Sequence, residues 1–272
     1  MIRRAMSEAD VVSGLRIVRD KIQQACSKRP KELSTFQPRL VAVSKTKPKE
    51  LIIAAYKAGH RYFGENYVQE LIDKAHDPDI LEQCKEIQWH FIGHLQRNKV
   101  NKVVNIPGLH LVETVDSEKL ANTINDQYGK LLRENRLKVM VQVNTSGEEA
   151  KNGCPPKEAA HLVKHIMEKC KNLEFLGLMT IGAFGYDFSL GPNPDFVSLR
   201  NCREEVCKSL NMDPSQVELS MGMSNDFEHA VEMGSSNVRV GSSIFGARQR
   251  KESSSADEKL AKRVEEVKID NN

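Results

Sequence analysis

Apolar residues recur along the chain in two alternating patterns. Residues 7–27 place Val11, Leu15, Val18 and Ile22 on one helical stripe behind Ser7, a residue type that caps helices. From residue 39 onward, short runs rich in β-branched and aromatic residues alternate with stretches of helical spacing. Strands are predicted at residues 39–45, 61–66, 87–93, 109–116, 137–144, 173–182, 216–222 and 237–246. Helices are predicted between them, among others at residues 49–59, 117–135, 156–170, 195–210 and 225–233.

Strands that alternate with helices indicate parallel βαβ units, because a parallel strand pair needs a crossover connection. Eight units fit a single α/β domain, a (β/α)8 TIM-type barrel with residues 7–27 as an extra N-terminal helix. An open doubly wound sheet is the alternative, although no glycine-rich turn follows the first strand. We predict one domain over residues 1–250, and a charged segment over 251–272 with a helix at Asp257–Val267.

Charge and cysteine content exclude several classes of protein. The chain has 40 Lys plus Arg against 37 Asp plus Glu, a balance that favours neither nucleic-acid binding nor membrane-surface binding. Its six cysteines form no CxxC pair, which indicates a reduced, intracellular chain. The start "MIRRAMSEADVV" has no apolar region of the kind found in secretory signals. A cytoplasmic location is expected. The two arginines near the start of the chain leave open that a fraction of the protein enters mitochondria.

The stretch "RLVAVSKTKPKE" brings a lysine to the end of the first predicted strand, where barrels of this kind place reactive residues. Desolvation near an apolar barrel mouth would lower the pKa of Lys45 and make its neutral amine a nucleophile toward aldehydes. The alternative is a solvated loop lysine. Lys47, which follows the strand end and precedes Pro48, is the better candidate for that role.

Two later segments have the composition of phosphate-binding loops. In "VRVGSSIFG", Gly241 allows close backbone approach, and Ser242 and Ser243 supply hydroxyl donors after the eighth strand. In "SMGMSNDFEHA", Gly222 makes a tight turn and Ser224 lies where a helix is predicted to start. An ordinary helix cap is the alternative role for Ser224.

Arg239 is predicted to point into the barrel mouth, two residues before Gly241. A guanidinium cannot accept a proton, so a heterocyclic nitrogen that it contacts stays unprotonated. The alternative is an ion pair with a strand-end carboxylate, Glu65 or Glu218. A lysine amine, a phosphate cradle and a donor to a ring nitrogen match the aldehyde, phosphate and pyridine of pyridoxal 5′-phosphate (PLP).

Six motifs in order, "LVAVSKTKP", "FGENYVQE", "WHFIGHLQ", "GLMTIG", "ELSMGMSNDFEHAV" and "VRVGSSIFG", resemble the pyridoxal phosphate homeostasis protein (YggS/PROSC) family. The resemblance runs over about residues 10–248. It implies a fold-type III PLP barrel similar to the alanine racemase N-terminal domain, with PLP held as a Schiff base (an aldimine) on Lys45. It further implies phosphate contacts from Ser224, Gly241, Ser242 and Ser243, Arg239 facing the pyridine nitrogen, and Asn66 and Met179 lining the cofactor.

An open site without a second acid–base module suits a carrier, which protects PLP and delivers it to PLP-dependent apoenzymes, or receives it from PLP-supplying enzymes, in transient complexes. No catalytic residue and no metal ligand is assigned, and the chain is expected to be a monomer. An amino-acid racemase or lyase is the alternative, with Tyr67 and Tyr186 as tyrosines that could reach the pocket. An adaptor with a vestigial cofactor is a third class. His161 and His165 are expected on an exposed helix face, whereas His90 and His94 line the mouth or belong to the core.

Overall fold

The eight predicted strands close into one parallel barrel. The computed structural model describes residues 6–33, 36–148 and 151–247. Each strand pairs with its sequence neighbours, and the first pairs with the eighth. The strands are β1 Arg39–Val43, β2 Tyr62–Glu65, β3 Gln88–Phe91, β4 Leu109–Val115, β5 Leu137–Gln142, β6 Leu173–Met179, β7 Glu218–Met223 and β8 Asn237–Val240. The (β/α)8 prediction is confirmed, and the open doubly wound alternative is wrong.

Helices surround the barrel and connect its strands. They are α1 Glu8–Lys28, α2 Lys49–Lys57, α3 Val68–Ala75, α4 Pro78–Gln83, α5 Val100–Val104, α6 Glu118–Gly129, α7 Ala159–Lys169, α8 Pro194–Leu210, α9 Phe227–Glu232 and α10 Ser242–Phe245. Short 3-10 helices lie at Lys31–Leu33, Arg97–Lys99, Pro156–Glu158, Phe188–Leu190 and Pro214–Gln216. None of the helices in the described ranges is long and apolar enough to cross a bilayer.

The N-terminal helix α1 covers the seam where the barrel closes. Ser7 and Asp10 form a reciprocal capping box at its start, with Ser7 N 2.9 Å from Asp10 Oδ2. The predicted apolar stripe is buried. It packs against α2, α9 and α10, which flank β1 and β8 on the outside of the barrel. The prediction of an extra helix over residues 7–27 is confirmed, with its end one residue later at Lys28.

The eighth predicted strand is too long. Residues 237–246 were expected to be extended throughout, but β8 ends at Val240 and α10 begins at Ser242. Gly241 lies between the two and caps α10, since the N–H groups of Ile244 and Phe245 donate to its carbonyl at 3.0 and 2.8 Å. The charged segment 251–272 and the helix predicted within it lie outside the described residues, so that division of the chain stays a prediction.

The main core lies between the strands and the helices, with Phe63, Trp89 and Phe91 among its largest fully buried side chains. A second, small apolar cluster consists of Leu111, Met140 and Met179. Leu111 and Glu113 lie two residues apart on β4 and therefore share one face of the strand, the face that points into the barrel. The second cluster thus belongs to the layer that fills the barrel beneath its mouth.

Candidate functional site

A pocket of about 490 Å³ opens at the C-terminal ends of the strands. This volume lies within the range of about 300–1,000 Å³ that is usual for small ligands. Seven of the eight predicted cofactor contacts line it, namely Lys45, Asn66, Met179, Ser224, Arg239, Gly241 and Ser242. The eighth, Ser243, follows on α10 and is exposed, but it is not a lining residue. Barrel closure therefore brings residues from five different strand ends to one pocket.

Lys45 lies in a tight turn formed by residues 44–47, hereafter the Lys45 turn. The Lys47 N–H donates to the Ser44 carbonyl at 3.0 Å, and Thr46 has the left-handed φ of 61°. Lys45 itself is half-buried and lines the pocket. The expectation that Lys47 is merely solvated is wrong, because its Nζ donates to the carbonyls of Gly246 and Ala247 at 2.9 and 3.0 Å. Lys47 thereby ties the first strand end to the end of α10.

The two predicted phosphate-binding loops contact each other. The Gly241 N–H donates to Ser224 Oγ at 3.0 Å, which joins the loop after β7 to the loop after β8. Ser224 is not a helix cap, because α9 starts three residues later at Phe227. Gly222 has a φ of 96°, and a Cβ added there would lie 2.5 Å from the Ala230 side chain. Gly222 thus lies within β7, where the register against β8 shifts, and not in the tight turn predicted for it; only glycine fits at this point.

Arg239 lies at the base of the pocket with only 4% of its surface exposed. Its guanidinium donates to Ser220 Oγ and, at 2.8 Å, to the Thr180 carbonyl. The predicted ion-pair partners are wrong, since Glu218 pairs with Arg39 and Glu65 pairs with Lys74, each at 2.7 Å. The carboxylate beside Arg239 is instead Glu113, at 3.9 Å. Sequence reasoning missed Glu113, although an acid within the apolar run "LHLVETV" is the signal that could have found it.

Glu113 is the centre of a buried polar network inside the barrel. It accepts hydrogen bonds from His90 Nδ1 at 2.6 Å, from Ser220 Oγ at 2.5 Å and from Asn237 Nδ2 at 3.1 Å. Because an ionised carboxylate only accepts, Nδ1 of His90 must carry the hydrogen. Of the two roles expected for His90, the structure thus gives the core one. Burial alone would raise the pKa of Glu113, but His90, Arg239 and Ser220 lower it to about 2.

The pocket also presents an unpaired polar atom and an apolar floor. The buried Oδ1 of Asn66 has no hydrogen-bond partner within the described ranges. Gly93 allows the close approach of this segment, since a Cβ there would lie 1.9 Å from the Asn66 carbonyl oxygen. Met179 is fully buried at the end of β6, and Val43 and Ile92 line the pocket beside it. This combination suits a flat ring with a polar substituent.

The loop between β6 and α8 forms an apolar rim that sequence reasoning did not identify. Phe184 lines the pocket yet is 85% exposed. The adjacent Ala183 N–H donates to Asp195 Oδ2 at 2.7 Å, which anchors the loop to α8. Tyr186, one of the two tyrosines considered for catalysis, also lines the pocket, and its hydroxyl lies 3.3 Å from the Pro192 carbonyl. The other, Tyr67, is not a lining residue.

The other three histidines considered in the sequence, His94, His161 and His165, do not line the pocket. His94 is about half exposed, with its Nδ1 3.8 Å from Asp116. His161 and His165 both contact Glu118 on α6, at 2.8 and 3.6 Å. No cluster of three or more His, Cys, Asp or Glu side chains suited to a metal ion occurs in the part of the chain that the structure describes.

Comparison with known proteins agrees with this architecture. The family model for the alanine racemase N-terminal domain matches residues 17–249. Alanine racemase from Corynebacterium glutamicum shares the fold, with a TM-score of 0.62 at 11% identity over 91% of this chain and 64% of that one. Fold and pocket thus define a barrel of the alanine racemase N-terminal class.

More similar relatives narrow the class. Human pyridoxal phosphate homeostasis protein is 60% identical over 242 residues, covering 89% of this chain and 88% of the relative. PipY from Synechococcus elongatus, solved with PLP bound, has a TM-score of 0.70 and 29% identity, covering 87% of this chain and all of that one. The chain belongs to the pyridoxal phosphate homeostasis protein family.

Proposed function

We propose that the barrel binds PLP in the mouth pocket, holds it covalently on Lys45 and hands it to PLP-dependent apoenzymes. The observation that carries the proposal is that Lys45, Arg239 and the joined Ser224 and Gly241 all border one pocket. The human relative named for PLP homeostasis and the PipY structure with PLP bound support it.

The residues around the pocket fit the cofactor. When bound, PLP supplies an aldehyde, a phosphate and a pyridine ring. Ser224 and Ser242 would hold the phosphate through their hydroxyls and through N–H groups at the start of α10, since the first N–H groups of a helix lack partners within it. Gly241, whose own N–H already donates to Ser224 Oγ, would allow the close approach of the phosphate. Asn66 and the Met179 floor would hold the ring. Ser243 is exposed beside this cradle and is the least supported of the predicted contacts.

Lys45 would hold the cofactor reversibly through a Schiff base. The neutral Nζ of Lys45 would be the nucleophile toward the aldehyde that PLP supplies, and the resulting bond would be reversible in water. A reversible bond keeps a reactive aldehyde from other amines while still allowing release, as a carrier requires.

Arg239 would weaken PLP as an electron sink for the removal of Cα protons, an effect that racemases with an arginine in this place tolerate. Such chemistry works best with a protonated pyridine nitrogen, and a guanidinium at that nitrogen opposes protonation. Arg239 is buried and already fixed by Ser220 and Thr180. Its buried site lowers the pKa of the guanidinium, while Glu113 and Asp226 raise it.

A racemase or lyase stays the second candidate because Tyr186 borders the same pocket. Solvent deuterium exchange at Cα of L-alanine tests it. PLP-loaded protein that exchanges deuterium faster than free PLP, with the gain lost in Tyr186→Phe, would favour the enzyme. Exchange equal to that of free PLP favours the carrier.

The proposed function itself is tested by the absorption spectrum of PLP-loaded protein before and after borohydride reduction, with peptide mapping. We expect a visible band that borohydride removes, and a pyridoxyl group on Lys45. Lys45→Ala should lack both and keep its far-ultraviolet circular dichroism, whereas Lys49→Ala, a control at a lysine that does not line the pocket, should keep the adduct. An adduct mapped to another lysine would refute the assignment.

Delivery to partners needs a separate assay. We expect loaded protein to reactivate a PLP-dependent apoenzyme faster than free PLP does in the presence of an aldehyde trap. Equal rates would count against delivery. Gel filtration checks the expected monomer.

A further inference from the structure

Lys74 on α3 is a buried lysine that the proposed function leaves without a role. Its ammonium lies 2.8 Å from the Ser44 carbonyl, 2.7 Å from Glu65 Oε1 and 2.7 Å from Glu70 Oε1. An ammonium has three N–H donors and no acceptor, so these three partners use all of them. Only 9% of the Lys74 surface is exposed.

The three partners of Lys74 surround the Lys45 turn. Ser44 precedes Lys45, and its hydroxyl donates to the same Glu65 oxygen at 2.7 Å. Thr46 follows Lys45, and its N–H donates to the same Glu70 oxygen at 2.5 Å. Through these contacts Lys74 holds the backbone in place on both sides of Lys45.

Thr46 shows why this support is needed. Its φ of 61° lies in the left-handed region, which β-branched residues rarely adopt. Such a conformation persists only where surrounding contacts fix it. The Glu70 carboxylate supplies one such contact, and Lys74 keeps that carboxylate in position.

We propose that Lys74 is a positioning residue for Lys45: through Glu65, Glu70 and the Ser44 carbonyl it fixes the turn that aims the Lys45 amine. The inference rests on the proposed function, since it concerns the bond between that amine and an aldehyde. It assigns to Lys74 the covalent part of PLP binding, while the proposed phosphate cradle is held by a separate contact, that between Ser224 and Gly241.

Loss of Lys74 would leave two carboxylates beside the turn without their shared cation. Burial raises the pKa of Glu65, and Lys74 and Ser44 lower it. Without the ammonium, Glu65 gains a proton or moves toward water, and Glu70 loses the contact that holds it against Thr46. Either change loosens the turn at Ser44 and Thr46, while the contact between Ser224 and Gly241 in the loops after β7 and β8 stays in place.

The test compares two ligands in Lys74→Met. PLP and pyridoxine 5′-phosphate share ring and phosphate, but only PLP has the aldehyde that bonds to an amine. We expect the affinity for PLP to fall at least about tenfold and that for pyridoxine 5′-phosphate by less than about twofold. Lys49→Met is the matched control, because Lys49 also pairs with two carboxylates, Asp77 and Asp79, and should change neither affinity.

Equal losses for both ligands, or an unchanged affinity for PLP, would overturn the assignment. If Lys74→Met does not fold by circular dichroism, Glu70→Gln carries the same test, since it weakens the contact with Thr46 and leaves the Lys74–Glu65 pair. Wild-type protein that binds neither ligand would overturn the proposed function together with this inference. Wild-type protein that binds both, with equal losses in the variants, would overturn the inference alone.

Discussion

Glu113→Gln tests the buried network beneath the pocket. Glutamine keeps the size of the side chain and removes its charge. Arg239 then loses the carboxylate 3.9 Å away. The new amide NH2 also faces donors, because His90 and Asn237 both donate to Glu113. A buried charge without its partner and opposed donors both destabilise the folded state.

Two calculations give a similar magnitude for the stability that the charge of Glu113 contributes. Coulomb's law for unit charges 3.9 Å apart, with an effective dielectric constant of about 20, gives about 4 kcal/mol. The pKa of Glu113, about 2 against an ordinary 4.5, corresponds to about 3 kcal/mol at neutral pH. Breaking a buried ion pair by removing one partner typically costs about 3–5 kcal/mol. We therefore expect Glu113→Gln to lower the free energy of unfolding by about 3–5 kcal/mol.

Urea denaturation at pH 7 measures this loss. Glu86→Gln is the matched control, because Glu86 lies 3.2 Å from Arg61 Nε but its side chain is 73% exposed. Surface pairs of this kind contribute at most about 1 kcal/mol. A loss for Glu113→Gln no larger than that of the control would refute the reasoning about the network.

The contribution of Glu113 to the free energy of unfolding also depends on pH. The pKa of Glu113 is lower in the folded protein than its ordinary value. Its contribution is therefore fully present above about pH 4.5 and is lost as the pH falls toward about 2. The stability difference between wild type and Glu113→Gln should narrow across that window. A difference that stays constant from pH 6 to the acid limit of folding would show that Glu113 is not the group responsible.

Two further variants test the pocket. Arg239→Gln should raise the rate of PLP release at least about tenfold by stopped-flow trapping with an apoenzyme, because the ring loses its guanidinium contact; an unchanged rate would exclude Arg239 from ring binding. Gly222→Ala should lower the free energy of unfolding by about 1–3 kcal/mol, since the new methyl group lies 2.5 Å from the Ala230 side chain. Gly147→Ala is its control, because within the described residues, apart from the two chain neighbours, no atom lies within 4 Å of the added Cβ; equal losses would refute the steric explanation.

The barrel could be predicted from local patterns because each βα unit carries its own signal. Apolar runs such as "LVAV" alternate with helical spacing, and a parallel arrangement then follows from chain connectivity. Residues at strand ends are also predictable, since these ends meet at one face. Lys45 and Arg239 could therefore be assigned to the same pocket although they lie far apart in sequence.

What escaped prediction depends on pairings inside the barrel. Glu113 and Arg239 belong to β4 and β8, and nothing in either segment indicates that the two side chains meet. The same holds for Lys74, whose helix looks like an ordinary amphipathic surface element until its ammonium is seen beneath the Lys45 turn. The early end of β8 escaped prediction because "GSSIFG" carries β-type residues, whereas Gly241 caps a short helix that begins at Ser242.

The seam between β1 and β8 has a consequence for how the chain is made. Arg39–Ala42 pair with Asn237–Val240, roughly 200 residues later in the chain. At about 5–20 residues per second, a ribosome needs about 10–40 s to add that length. Throughout this interval the free edge of β1 and the apolar stripe of α1 lack their final partners. A chain truncated before Asn237 lacks β8 and α10, which leaves the edge of β1 unpaired and the apolar stripe of α1 without one of its three helix partners. Loss of a short segment near the end of the barrel therefore opens the same seam as loss of its first strand.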